Sequence, residues 1–249
     1  MYKVIGIIPA RFGSVRLPGK PLIEIAGKSI IQYVYEKARA SCLLNDCLIA
    51  TDDQRIFDKV KEFGGKVVLT RLNCQSGTDR VAEASLNIES DVIINIQGDE
   101  PLIFSEMIDE LISIFLEDSF VEMASLRTKI LDSEEINNPN VVKVVVDKND
   151  YALYFSRYPI PYLRDENDEK TIYKHIGIYG YKKDFLLKIS SFTPTFLEQM
   201  EKLEQLRVLE NGYKIKVKET NFSSIGIDTK EDLEKVKKIM LSNSFSLNQ

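Results

Sequence analysis

The sequence predicts an α/β protein with a mostly parallel central sheet and an antiparallel insertion in its second half. Between residues 4 and 70, short apolar runs alternate with amphipathic stretches of helical period in a βαβαβ rhythm, the pattern of strands paired in parallel through helical crossovers. The apolar runs end abruptly in polar clusters, among them Pro9-Ala10-Arg11 and Gln97-Gly98-Asp99-Glu100. An open parallel sheet presents its ligands there, at the carboxyl ends of the strands. After about residue 122 the clean βα alternation is lost, which places the antiparallel insertion.

The first strand is the run Val4, Ile5, Ile7, Ile8. It empties into a loop of small and turn-forming residues (Pro9, Ala10, Gly13, Ser14, Pro18, Gly19) carrying the cations Arg11, Arg16 and Lys20. Small residues let backbone N–H groups approach an anion, and guanidinium and ammonium groups neutralise it. The loop is therefore read as a grip for a nucleoside triphosphate, against the plainer alternative of surface salt-bridge partners.

Residues 28–41 place Ile30, Ile31, Val34, Tyr35 and Ala38 at helical spacing, a first crossover helix. A strand over 46–53, a charged helix over 54–63, a stop at Gly64-Gly65 and a strand over 66–70 follow. The polar loop from residue 73 runs into a helix by 85, and the segment 90–103 contains a strand apolar enough to be central. Its end, Asp99-Glu100, is either a solvated acidic helix cap or a metal carboxylate of the kind Mg²⁺ shares with water and substrate phosphate. A helix over 105–118 and strands over 123–130 and 141–150 come next, then the aromatic stretch 151–162 around Arg157. The charged run 164–170 reads as a solvated loop tip. A strand and helix over 174–186, one helix over 195–211, a strand through 213–219 and a final helix over 224–241, capped by Asp228-Thr229, complete the chain, with a frayed tail beyond.

The 249 residues carry 44% hydrophobic and 29% charged side chains and a formal net charge of −5. That balance and the lack of a basic stripe argue against nucleic acid as a partner. The three cysteines have neither disulfide-framework nor zinc spacing, and no apolar run is long enough to span a bilayer. With no signal peptide visible, the sequence predicts a soluble cytoplasmic protein.

Seven motifs, IIPARFGSVRLPGKPL, QSGTDR, NIQGDEP, YALYFSR, KHIGIYGY, LEQLR and GIDT, stand in this order. On them the chain resembles the 3-deoxy-manno-octulosonate cytidylyltransferases, or CMP-Kdo synthetases, from about residue 3 to residue 240. The opening signature is shared by other nucleotidyltransferases; YFSR, KHIGIYGY and LEQLR point to the Kdo branch. Val15 departs from the pattern, which has a hydroxyl residue before the second arginine. The resemblance implies a Rossmann-like, glycosyltransferase-A-type fold in a single domain over 1–249. Its nucleotide-binding half would span about 1–122, its sugar-binding and dimerisation elements about 123–223, and its return to the main sheet about 224–241. It implies transfer of CMP from CTP to 3-deoxy-D-manno-octulosonate (Kdo) with release of pyrophosphate, for lipopolysaccharide synthesis, by a homodimer. The alternative is a cytidylyltransferase for a related acidic sugar, 8-amino-8-deoxy-Kdo or a sialic acid.

The resemblance also distributes roles. Arg11 and Lys20, with Arg16, would clamp the triphosphate, and Arg11, Lys20 and Asp99 would carry catalysis. Asp99 and Asp228 would bind Mg²⁺, although Asp228 reads equally as a plain helix cap, and Glu100 would be supportive. Ser76, Gly77 and Arg80 would lie by the cytidine. Gln97, His175, Tyr179, Glu204 and Gln205 would surround the sugar hydroxyls, and Arg157 suits the sugar carboxylate because guanidinium binds carboxylate bidentately. A lone histidine such as His175 is also commonly a satisfied structural residue.

Overall fold

The computed structural model describes residues 2–13, 17–72, 74, 76–162, 164 and 171–246. The chain forms two compact units, residues 1–109 with 224–249, and residues 110–223.

In the first unit, β1 (Val4–Ala10) is buried along nearly its whole length because Val4, Ile5, Ile7 and Ile8 fill both of its faces. A hairpin the helical spacing did not predict follows, β2 (Glu24–Ile25) and β3 (Lys28–Ser29), turning through Ala26 and Gly27 at φ 48° and 82°. Helix α1 (Ile30–Arg39) therefore starts two residues later than its apolar period implied. Next come β4 (Asp46–Thr51), α2 (Gln54–Glu62), β5 (Val67–Leu69), α3 (Gly77–Ser85), β6 (Val92–Asn95) and the first residues of α4 (Ser105–Glu117). Strands β6, β1, β4 and β5 pair in that order, all parallel. Helices α2 and α3 start where their caps are written: Asp53 accepts from the Arg55 N–H, and Ser76 and Asp79 form a capping box.

The second unit holds the antiparallel pairing. Strand β7 (Met123–Lys129) precedes a short helix, α5 (Ser133–Asn137), then β8 (Lys143–Val146), β9 (Ala152–Ser156) and β10 (Tyr173–Lys182). β10 lies antiparallel to β7 and β8, and β9 antiparallel to β8. Helices α6 (Lys183–Ile189), α7 (Phe196–Glu201) and α8 (Leu206–Glu210) lead to β11 (Lys216–Glu219), which pairs parallel with β7.

The single helix expected over 195–211 is thus two. Lys202 ends α7 in a left-handed conformation at φ 54°. The Glu201 and Lys202 carbonyls, which a continuous helix would use internally, accept from the Arg157 guanidinium at 2.7 and 3.4 Å.

Lys143 is fully buried on β8, and its ammonium donates to the carbonyls of Asn138, Val141 and Arg157 at 3.0, 2.6 and 2.7 Å. Burial pulls its pKa down, yet three acceptors for three N–H groups keep the site satisfied. Lys143→Met is expected to strand these carbonyls and to destabilise the protein by about 2–3 kcal/mol. A thermal melt that matches wild type would show that the clip carries no stability.

The chain returns to the first unit at Ser224 and ends in α9 (Lys230–Ser246). Ile227, Leu233 and Val236 pack with Leu17, Ile25 and Ile30. The helix runs on into the tail as far as Ser246, where the sequence predicted fraying. Among the described residues, no helix is long and apolar enough to cross a membrane.

Candidate active site

Where β1 and β6 end, the first unit encloses a cavity of about 570 Å³ lined by Arg11, Lys20, Ser76, Gly77, Arg80, Gln97, Asp99 and Asp228, together with Pro9, Gly98 and Cys74. Eight of the residues singled out from sequence therefore share one cavity. Arg16 lies outside the described residues.

The loop after β1 is shaped by Gly19. Its φ of 70° suits glycine, and its N–H donates to the Phe12 carbonyl at 3.0 Å, closing the loop on itself. A Cβ there would stand 3.1 Å from the Phe12 ring, over which the Arg55 guanidinium lies at 3.3 Å. Gly19 launches a 3₁₀ turn, Lys20–Leu22. This carries the Lys20 side chain inward, where it is only 8% exposed, while Arg11 stays exposed.

The Lys20 ammonium reaches Asp99 Oδ2 at 2.5 Å, the Ile227 carbonyl at 2.5 Å and Asp228 Oδ1 at 3.3 Å. Its three N–H groups match three protein acceptors. The two aspartates are brought together by backbone pairing, since the Ile227 N–H donates to the Asp99 carbonyl at 2.9 Å. Thr229 caps α9 reciprocally with Asp232, at 3.2 and 2.9 Å. Asp228 turns its Oδ1 to Lys20. Glu100, by contrast, turns to the Ser224 hydroxyl, which donates to it. Burial, aided by the neighbouring Asp99 and Asp228 charges, pushes the Glu100 carboxyl up to about 7.

Arg80 is 4% exposed, and its guanidinium bonds Thr70 Oγ1 at 2.5 Å and Asp52 Oδ2 at 2.7 Å. Sequence reasoning found Arg80 but missed both partners; the only signal was the acidic and hydroxyl end of the strand at Thr51-Asp52-Asp53. Cys74 donates to Glu83, and burial raises its thiol to about 11, so it stays protonated at neutral pH.

Gly98 has a steric reason to be glycine, because a Cβ there would meet the Pro9 carbonyl oxygen at 2.7 Å. Gly98→Ala is expected to push the 97–99 turn off β1, displacing Gln97 and Asp99. Turnover should fall about a hundredfold without loss of the fold. Steady-state kinetics beside a melting curve check this, and unchanged turnover would mean that the turn tolerates the shift.

The second unit holds the other residues. On β10, the rings of His175 and Tyr179 lie 5.3 Å apart, and Phe155 meets His175 edge-on at 4.9 Å. Burial drives the His175 pKa down to about 3, leaving the imidazole neutral at physiological pH. Besides Glu201 and Lys202, Arg157 donates to the Pro139 carbonyl at 2.8 Å. Three of its five N–H groups are thus engaged by backbone. The corner it holds leads directly into Glu204 and the buried Gln205.

Comparison with known proteins gives concordant results. Residues 5–216 match the family model for cytidylyltransferases. The 3-deoxy-manno-octulosonate cytidylyltransferase of Fusobacterium nucleatum is 54% identical, over 98% of this chain and 100% of that protein. The solved structure of a CMP:2-keto-3-deoxy-manno-octonic acid synthetase complexed with CTP superposes with a TM-score of 0.92 at 42% identity, covering 97% of this chain and 99% of that one. The 4-diphosphocytidyl-2C-methyl-D-erythritol synthase of Anaerococcus prevotii shares the fold, with a TM-score of 0.62 at 15% identity over 96% of each chain.

Proposed function

The chain belongs to the 3-deoxy-manno-octulosonate cytidylyltransferase family, and we propose that it performs that reaction at the cavity of Arg11, Lys20 and Asp99. It is a nucleotidyltransferase that moves CMP from CTP to Kdo and releases pyrophosphate. The observation that carries the assignment of the site is the gathering of three cations and two carboxylates in one cavity at the carboxyl ends of parallel strands.

A Kdo hydroxyl attacks the α-phosphorus in line with the departing pyrophosphate, a step that rests on positioning and charge neutralisation. Arg11, exposed on the cavity wall, supplies a guanidinium for the β- and γ-phosphates. Lys20 has its three N–H groups in use, so a phosphate oxygen competes for the ammonium with Asp228, the longest of its contacts at 3.3 Å. Arg80, held by Asp52 and Thr70, presents a fixed guanidinium on the nucleoside side.

Asp99 and Asp228 fit a divalent cation. Both aim a carboxylate oxygen at one cationic centre, and their side chains remain 34% and 56% exposed. Among the described residues no group of three or more histidine, cysteine, aspartate or glutamate side chains is gathered, so the pair would share Mg²⁺ with substrate oxygens. When bound, Mg²⁺ supplies charge neutralisation at the triphosphate.

The sugar side falls to Gln97, Arg157, His175, Tyr179, Glu204 and Gln205, with the remaining N–H groups of Arg157 directed to the Kdo carboxylate. The same reading makes the protein a cytoplasmic homodimer that activates Kdo for lipopolysaccharide. Pyrophosphate release with CTP and Kdo, with and without Mg²⁺, tests the function. Turnover with 8-amino-8-deoxy-Kdo or a sialic acid, and none with Kdo, would overturn the substrate assignment.

A further inference from the structure

Ser125, on β7, is fully buried, and its hydroxyl oxygen has three close neighbours. His175 Nε2 lies at 2.8 Å, the Ile176 carbonyl at 3.0 Å and the Ile178 carbonyl at 2.9 Å. The two carbonyls converge because the β7–β10 register slips between Ile176 and Tyr179, a bulge of the kind that disrupts the ladder locally and re-aims side chains.

A hydroxyl has one proton and two lone pairs, and a carbonyl only accepts. Were the Ser125 proton given to His175, two carbonyl oxygens would face a hydroxyl oxygen at 3 Å or less with no hydrogen between them. The proton therefore goes to the carbonyls, and the one neighbour able to donate to Ser125 is His175. Its imidazole carries the hydrogen on Nε2, and Nδ1 keeps the lone pair. Among the described residues, no protein donor meets Nδ1.

We propose that Ser125 is a positioning residue that fixes His175 in the Nε2–H tautomer, so that Nδ1 accepts a hydrogen bond from a hydroxyl of the acceptor sugar. The inference rests on the reading of β10 as part of the sugar side. It extends the site to a residue with no contact to substrate, which acts only by setting which nitrogen of the ring is the acceptor. The phenyl edge of Phe155 and the Tyr179 ring confine the imidazole plane, so tautomer and orientation are set together.

His175 is the only histidine in the chain, so the test needs no assignment. Full-length protein labelled with ¹⁵N-histidine is expected to show one imidazole with a protonated Nε2 and a pyridine-like Nδ1. A wild-type ring protonated on Nδ1 would overturn the proposal without any variant. In Ser125→Ala the tautomer is expected to shift or mix, with the KM for Kdo rising roughly tenfold and the KM for CTP unchanged. A tautomer unmoved in that variant, or equal rises in both KM values, would overturn the positioning role. His175→Gln separates this from the underlying reading: an unchanged KM for Kdo there removes His175 from the sugar side, whatever the tautomer proves to be.

Discussion

Replacing Asp99 with alanine is expected to cut turnover about a thousandfold or more while leaving the fold intact. Two side-chain functions disappear at once, half of the Asp99–Asp228 carboxylate pair and the Lys20 partner at 2.5 Å. The backbone role survives, because the Asp99 carbonyl still accepts from Ile227 N–H at 2.9 Å. Residual turnover in the variant should no longer respond to Mg²⁺, and calorimetric titration with Mn²⁺ should show weakened metal binding in the presence of CTP. Undiminished, Mg²⁺-dependent pyrophosphate release would remove Asp99 from the metal site.

Lys20→Met is expected to be comparably damaging, by a route that reaches stability as well. The ammonium is the only described cation bonded to both Asp99 and Asp228, and it also serves the Ile227 carbonyl. Without it, two like charges face each other across the cavity mouth. Partial exposure of the aspartates lets water relieve some of the repulsion, so the loss is expected near 2 kcal/mol rather than the larger cost of a fully buried charge. Turnover should fall about a hundred- to a thousandfold. Lys20→Arg should not restore it, because a planar fork does not reproduce three acceptors converging on one nitrogen. Thermal melts and pyrophosphate release of both variants check this. A Lys20→Arg enzyme with wild-type turnover would show that charge alone suffices.

Much of this site was legible in the sequence because its parts sit where strands end. A run as apolar as Val4–Ile8 must be buried, and the cations after it have to emerge at the sheet's edge. Asp99 was legible for the same reason after Val92–Asn95. What stayed hidden depends on partners far away in sequence. Nothing local breaks the stretch 195–211, since Glu201, Lys202, Leu203 and Glu204 are all helix formers; the break is held by Arg157, more than forty residues upstream. Asp52 with Arg80, Ser224 with Glu100, and Ser125 with His175 are likewise long-range pairs. The hairpin at 24–29 was missed for a different reason. Ala26-Gly27 was a turn signal, but the helical spacing of the residues that follow masked it.

Unit one is discontinuous, closing with residues 224–249 after 114 residues have been spent elsewhere. Two of the three acceptors around the Lys20 ammonium, the Ile227 carbonyl and Asp228, belong to that last segment. During synthesis the loop after β1 and Asp99 leave the ribosome early, yet the acceptor set around the Lys20 ammonium cannot close until Ile227 and Asp228 have been added. A polypeptide terminated before Ile227 would keep the direct Lys20–Asp99 pair but leave two of the three ammonium N–H groups without their acceptors. The full acceptor set of this buried ammonium thus depends on residues added more than two hundred positions after Lys20 itself.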